Sequence, residues 1–189
     1  MSIPQQPKPA KLVISLILKD KKIIEDVILE LIKKFGTIDF LSQWISFDFT
    51  NYYEKEMGAG LLRRIIAFKQ LVNQSDLADI KIKTNEIESR FSESNNRKVN
   101  IDPGYILLER FVLATGKNYS HRIYIGKGIY ADLTLIYLKG KYQPMPWTYP
   151  DYAHMDIQRF IAKAREKYKM DLKFIDYENS GVRIQKSDE

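Results

Sequence analysis

The residues that could do chemistry are concentrated in one stretch, from Asn100 to Tyr152. It holds eight of the twelve tyrosines, one of the two histidines and one of the two tryptophans. Residues 97–147 also contain eight Lys and Arg against three Asp and Glu, in a chain of net charge +6. Such a basic region favours phosphates, nucleotides or RNA as partners; the alternative is a mildly basic solvated surface.

The Ser120-His121-Arg122 segment supplies the candidate acid–base chemistry. A neutral histidine can act as a general base, and an arginine can bind a carboxylate or a phosphate with two hydrogen bonds. Ser120 is not predicted as a nucleophile for His121, because neighbouring strand residues face opposite sides. The alternative is a structural histidine at the end of a strand.

Asp102 is the candidate partner of this histidine. It precedes Pro103-Gly104 at a predicted strand end, where a carboxylate could orient His121, contact Arg122, or bind a metal or a ribose hydroxyl. The alternative is turn chemistry alone, since Asp-Pro-Gly is a turn sequence.

The Gly126-Lys127-Gly128 tripeptide could let backbone approach a phosphate. It does not fit the Walker pattern G-x-x-x-x-G-K-[ST], because Lys127 is followed by glycine. It does not fit the dinucleotide pattern G-x-G-x-x-G either, because residue 131 is alanine. The alternative is a hairpin turn in which glycine supplies positive φ.

The aromatic segment Pro144–Tyr152 could stack a nucleobase beside these cations. The alternative is a proline-braced lid over the core. The binding hypothesis therefore assigns phosphate contact to Lys117, Arg122 and Lys127, and stacking to Tyr119, Tyr130 and Trp147. An enzyme hypothesis adds His121 as general base, with Asp102 orienting it. A third hypothesis is a structural protein whose aromatic patch is an interface.

The sequence contains no clear motif for a metal site and no cysteine. Three carboxylates, Asp48, Glu54 and Glu56, could form a weak Mg²⁺ site, but their spacing fits no calcium loop, and no metal ligand is assigned. The two histidines are too far apart for a zinc motif. Without cysteine, disulfides, thiolate metal sites and a cysteine nucleophile are excluded. We expect a cytoplasmic protein with no signal peptide and no membrane segment.

The elements that must position these residues form an α+β pattern. Lys11–Leu18 predicts a buried strand, and the apolar spacing from Ile23 to Phe35 predicts a helix capped by Asp20 and ended by Gly36. Two predicted strands follow at Ile38–Phe49 and Leu61–Val72. A second predicted helix at 77–91 and a short strand at Lys98–Asp102 come next. This β-α-β-β-α-β order predicts a ferredoxin-like antiparallel sheet covered by two helices.

The rest of the chain extends this core. Ile106–Ala114 is ambiguous between helix and strand. Arg122–Ile125 and Ile129–Leu138 predict an added β-hairpin, and Asp151–Met170 predicts a C-terminal amphipathic helix. The predicted organisation is a flexible arm at 1–9, one α+β domain at 10–170 and a C-terminal hairpin or tail at 171–189, with Leu172–Tyr177 and Val182–Ile184 as the hairpin strands.

Long motifs carry a resemblance to a known family. The chain resembles the bacterial domain-of-unknown-function family 4416 over about residues 8–170. The matching stretches are Pro9–Leu12, Phe47–Gly58, Lys83–Glu86, Val99–Tyr105, Tyr119–Ala131 and Pro144–Tyr152. Members are often labelled GTP-binding protein, so the resemblance implies a nucleotide ligand such as GTP. The chain has neither a Walker loop nor an Asn-Lys-x-Asp guanine motif.

Overall fold

A computed structural model describes residues 1–94 and 96–179 of the 189-residue chain. The strands are β1 (Ala10–Leu18), β2 (Ile38–Leu41), β3 (Ile45–Phe47), β4 (Leu61–Val72), β5 (Ser92–Glu93), β6 (Asn96–Arg97), β7 (Val99–Ile106), β8 (Arg110–Thr115), β9 (Arg122–Gly126), β10 (Ile129–Leu138) and β11 (Lys141–Pro144). The helices are α1 (Ile24–Phe35), α2 (Glu54–Met57), α3 (Leu77–Arg90), α4 (Pro150–Ala153) and α5 (Met155–Asn179). The predicted α+β class is confirmed.

One large antiparallel sheet forms the centre of the described part of the chain. Its strand order is β11-β10-β8-β7-β1-β4-β2, with β3 added to β4 and β9 added to β10. The central strand β1 is buried along its whole length, which explains its continuous apolar sequence. Leu12 and Leu16 of β1 pack with α1 and α3 on one face of the sheet. Val13 packs with α5 on the other.

The first helix begins and ends at the residues that its sequence indicates. Asp20 accepts a hydrogen bond from the Lys22 N–H at 2.9 Å and so caps a short 3₁₀ turn that leads into α1. Gly36 ends α1 with φ +87°, and its N–H donates to the Ile32 carbonyl at 2.9 Å.

The predicted strand Ile38–Phe49 is instead two short strands, β2 and β3. Ser42 lies between them, and its hydroxyl accepts the Ile65 N–H at 2.9 Å. The Ser42 N–H donates to the Ile65 carbonyl at 2.8 Å. A side chain thus replaces one backbone partner of β4, and the edge strand is interrupted at this residue.

The predicted C-terminal hairpin is wrong over Leu172–Tyr177, which lies within α5. Leu172 is buried with Tyr168 and Ala164 on the face of α5 that packs against the sheet. This spacing of four continues the helix past Met170, where the prediction ended it. The second predicted hairpin strand, Val182–Ile184, lies outside the described residues. Ile106–Ala114, left open by the sequence, is mainly strand β8.

The sheet splits between β7 and β8. β7 pairs with β1 along its whole length but with β8 only from Gly104 to Ile106. Gly104 lies at this point because a Cβ there would meet the Val112 carbonyl oxygen at 2.5 Å. Pro103, which has no N–H to donate, stands where the pairing with β8 stops. The first half of β7 therefore has an open edge.

Within the described residues, none of the helices combines the length and the hydropathy needed to cross a lipid bilayer.

Candidate binding cavity

A cavity of about 800 Å³ lies where β7 and β8 diverge. Its aromatic lining residues are Phe47, Phe49, Tyr52, Tyr53, Tyr149 and Tyr152. Its charged lining residues are Arg63, Lys81, Arg97, Lys117 and Arg122 with Glu88, Asp102, Asp132 and Asp151. The volume falls within the range of small-molecule sites, roughly 300–1,000 Å³.

Helix α3 takes the place of a missing strand along the open edge of β7. The Ile101 N–H donates to the Glu88 carboxylate, and Lys81 Nζ donates to the Ile101 carbonyl at 2.8 Å. Lys81 also contacts Asp102 at 3.2 Å, and the Asn100 side-chain amide donates to Asp102 at 2.6 Å. Two side chains thus satisfy backbone groups that would otherwise be buried without partners.

An acidic–basic network surrounds this edge. Arg97 binds both Glu56 oxygens, at 2.7 and 2.8 Å, and Asn100 at 2.8 Å. Its hydrogen bonds to Glu56 raise the arginine pKa and lower the pKa of the Glu56 carboxyl. Burial raises the pKa of the Glu88 carboxyl above 4.5, and the nearby Lys81 opposes that change only in part.

Replacing Glu88 by glutamine should change how stability depends on pH. Because the pKa of Glu88 is raised in the fold, the wild type loses stability as pH rises from the unfolded-state pKa to the folded one. Glutamine does not ionise. We therefore expect the free energy of unfolding of Glu88→Gln to increase relative to that of wild type as pH rises above the unfolded-state pKa of glutamate, about 4.3. The increase should be about 1.4 kcal/mol for each pH unit until the folded-state pKa is reached.

Urea unfolding followed by circular dichroism at several pH values measures this difference. Glu86→Gln, on the exposed side of the same helix, is the matched control. If the difference in unfolding free energy between Glu88→Gln and wild type stays constant with pH, the pKa of Glu88 is not raised in the fold.

Arg63 lies at the floor of the cavity and is 2% exposed. One of its terminal nitrogens donates to the Asp151 carboxylate. Its guanidinium carbon lies 4.9 Å from the ring centroids of both Phe47 and Tyr152. Its Nε and its other terminal nitrogen have no hydrogen-bond partner.

Lys117 and Arg122 form the mouth of the cavity with two exposed tyrosines. Lys117 Nζ donates to the Tyr52 hydroxyl at 2.8 Å and lies 4.1 Å from that ring centroid. Arg122 donates to the Tyr149 hydroxyl at 2.7 Å and to the Lys117 carbonyl at 2.9 Å. Among the described residues, no carboxylate pairs with Lys117, and the hydrogen bond to Tyr52 uses one of its three N–H donors.

Asp132 is a buried carboxylate that contacts Arg122 at the mouth of the cavity. It is 3% exposed and accepts from Arg122 Nε at 2.9 Å. The same oxygen lies 3.2 Å from His121 Nε2. The Thr134 hydroxyl lies 3.3 Å from its other oxygen. One buried carboxylate therefore holds both the arginine and the histidine of the sequence motif.

The structure brings only some of the predicted site residues together. Asp102, Lys117 and Arg122 line the cavity. His121 is not among the lining residues; its ring stacks on Trp147, 5.0 Å between centroids and 11° between planes. Trp147 also donates to the Leu133 carbonyl at 2.8 Å.

The other three predicted ligand contacts lie outside the cavity lining. Lys127 pairs with Asp79 on the surface. Tyr119 is 65% exposed, and its ring makes a T-shaped contact with the His121 ring. Tyr130 packs on Tyr124. Lys127 lies in a turn with φ +56°, and its partner Asp79 belongs to helix α3.

Sequence reasoning missed the charged residues of the floor and of α3. Arg63, Lys81 and Asp151 are buried although each is charged. Their one local signal was a charge among apolar neighbours, as in Leu61-Leu62-Arg63-Arg64-Ile65 of β4. A buried charge in an apolar strand indicates a partner.

Within the described residues, no group of three or more His, Asp or Glu side chains has the geometry to hold a metal ion. Of the three carboxylates considered for Mg²⁺, Glu56 is bound to Arg97.

The part of the chain that forms this cavity lies within a known protein family. The family described as Domain of unknown function (DUF4416) matches residues 8–168, which include every cavity-lining residue. No curated protein and no solved structure matches the chain. The match spans most of the chain, and the protein belongs to the DUF4416 family.

Proposed function

We propose that the cavity binds a phosphate-bearing small molecule, with the phosphate at the mouth and a nucleotide as the best-fitting member of the class. The observation that carries this proposal is Lys117. It lines the cavity, it has no carboxylate partner among the described residues, and the guanidinium of Arg122 is held beside it. A lysine without a counter-charge next to a fixed guanidinium suits a phosphate group.

The size and lining of the cavity support a ligand larger than phosphate itself. The volume of about 800 Å³ could contain a drug-sized molecule. Six aromatic side chains line it, and aromatic faces favour a planar group. A concave site of this volume suits a small molecule better than RNA, which the sequence left as an equal partner.

Lys117→Met is expected to weaken binding of nucleoside 5′-monophosphates about tenfold or more, because a charge-assisted hydrogen bond is lost. Isothermal titration calorimetry measures the effect, after a thermal-shift panel that also includes inorganic phosphate and a mixed-sequence single-stranded RNA. Lys127→Met is the matched control, since Lys127 pairs with Asp79 on the surface, and it should bind as wild type.

Two results would overturn the proposal. One is a panel in which no phosphate compound binds; binding of the RNA alone would then favour RNA recognition. The other is an equal loss in both lysine variants, which would mean that general surface charge carries the binding.

The enzyme hypothesis receives less support from the geometry. A general base must reach the proton that it abstracts. The His121 ring stacks on Trp147, its Nε2 lies against Asp132, and the cavity lining does not include it.

The fold proposal is that β1, β2, β4 and β7 form a ferredoxin-like unit with α1 and α3. The antiparallel order β7-β1-β4-β2 supports it, because the two helices then connect strands that are not neighbours. Strands β8, β10, β11 and β9 extend the sheet beyond β7. A cytoplasmic location and a bacterial origin stay predictions.

A further inference from the structure

The floor of the cavity has hydrogen-bond donors without partners, whereas its two carboxylates already accept hydrogen bonds. The Asp151 carboxylate accepts from Arg63 and from the Tyr152 N–H. The Asp102 carboxylate accepts from Lys81 and Asn100. By contrast, the Nε and one terminal nitrogen of Arg63 have no partner, and the Tyr152 hydroxyl has only the buried Ser15 hydroxyl near it. Buried donors of this kind are rare and call for an acceptor.

The charge at the floor is balanced, so the missing acceptor need not be an anion. Arg63 is paired with Asp151, and Lys81 with Asp102. The aromatic rings of Phe47 and Tyr152 flank the guanidinium. A neutral, planar group with a carbonyl oxygen at its edge fits these conditions, because it supplies an acceptor without adding a buried charge.

We propose that Arg63, with Tyr152 beside it, recognises the carbonyl edge of an oxo nucleobase at the floor of the cavity. This inference rests on the proposed function: the phosphate lies at the mouth beside Lys117, and the base points inward. Protein atoms cover the two free Arg63 nitrogens, so a small movement of the Phe47 or Tyr152 ring accompanies the contact.

The wild-type protein provides the first test. Uridine and cytidine 5′-monophosphates differ at one edge of the pyrimidine, where uracil has an oxo group and cytosine an amino group. Inosine and adenosine 5′-monophosphates differ in the same way in a purine. We expect the oxo member of at least one pair to bind about tenfold or more tightly, because an amino group leaves the floor donors unpaired. Equal affinities within both pairs, or a preference for the amino members, would overturn the inference.

Two floor variants provide the second test. Tyr152→Phe removes only the hydroxyl and keeps the buried ring, so the fold should be retained. Arg63→Lys keeps the charge opposite Asp151 but removes the planar donor group. Both should bring the oxo-to-amino affinity ratio towards one, and both should leave the affinity for inorganic phosphate unchanged. If Arg63→Lys fails to fold, Tyr152→Phe decides.

The Lys117→Met variant separates this inference from the proposed function. It should weaken both members of each pair equally, so that their ratio is retained. Binding of inorganic phosphate with equal affinity for oxo and amino nucleotides would overturn the floor inference alone. If neither inorganic phosphate nor any of the four nucleotides binds, both proposals fail. An unchanged ratio in Tyr152→Phe and in a folded Arg63→Lys would also reject the floor as the source of selectivity.

Discussion

Asp151→Ala is expected to lower the free energy of unfolding by about 3–5 kcal/mol, because it leaves the Arg63 guanidinium buried without a counter-charge. Arg63 is 2% exposed and Asp151 is 6% exposed. Asp151 is the one carboxylate that pairs with Arg63 among the described residues. Urea unfolding followed by circular dichroism measures the loss, with the midpoint and slope fitted together.

Two further variants make this result specific. Asp176→Ala removes a carboxylate that is paired with Lys8 on the surface, where both side chains are mostly exposed, and it should change stability by less than about 1 kcal/mol. The double variant Arg63→Met, Asp151→Ala should recover part of the loss, because no unpaired charge remains. If Asp151→Ala is as mild as Asp176→Ala, the floor does not contain a buried ion pair.

Asp132→Ala is expected to cost about 3 kcal/mol of unfolding free energy and to weaken binding at the mouth. The variant removes the carboxylate that holds Arg122 Nε at 2.9 Å, and the Arg122 side chain is only 6% exposed. His121 loses the same partner. We expect titration of uridine 5′-monophosphate to show a fall in affinity together with the fall in stability, because Arg122 no longer has a fixed position.

The surface pair of Asp79 with Lys127 gives the control. Both side chains are at least half exposed, so Asp79→Ala should leave stability and binding close to wild type. Asp132→Asn should be intermediate, since its side-chain oxygen can still accept from Arg122 but carries no charge. A stable Asp132→Ala that binds as wild type would show that Asp132 does not position Arg122.

The local pattern of apolar residues was sufficient to predict β1 and α1, because each buries a regular set of side chains. β1 is predicted by a continuous apolar run because both of its faces are covered. α1 is predicted by its helical spacing, by the Asp20 cap and by Gly36. Prediction failed where a side chain interrupts a strand, as Ser42 does, and where a short apolar segment suits either element. Leu172 belongs to α5 because it packs with Tyr168 in the core, and spacing alone could not choose between helix and strand there.

The mouth of the cavity was more predictable than its floor. Lys117 and Arg122 stand in a basic, tyrosine-rich stretch that drew attention by composition. Arg63 stands in an apolar strand, and its partner Asp151 is 88 residues away along the chain. Glu88 and Lys81 matter because β7 has an open edge at Ile101, and the position of a sheet edge depends on which strands pair.

By itself, the sequence determined the α+β class, the buried central strand, the first helix and the family, because these depend on residue period, caps and long local motifs. Only the tertiary structure decided that Lys127 points away to Asp79, that His121 stacks on Trp147, and that Arg63 forms the floor. The physical reason is that the partner of each of these side chains comes from a distant part of the chain, and the burial of the Arg63 charge in particular requires such a partner.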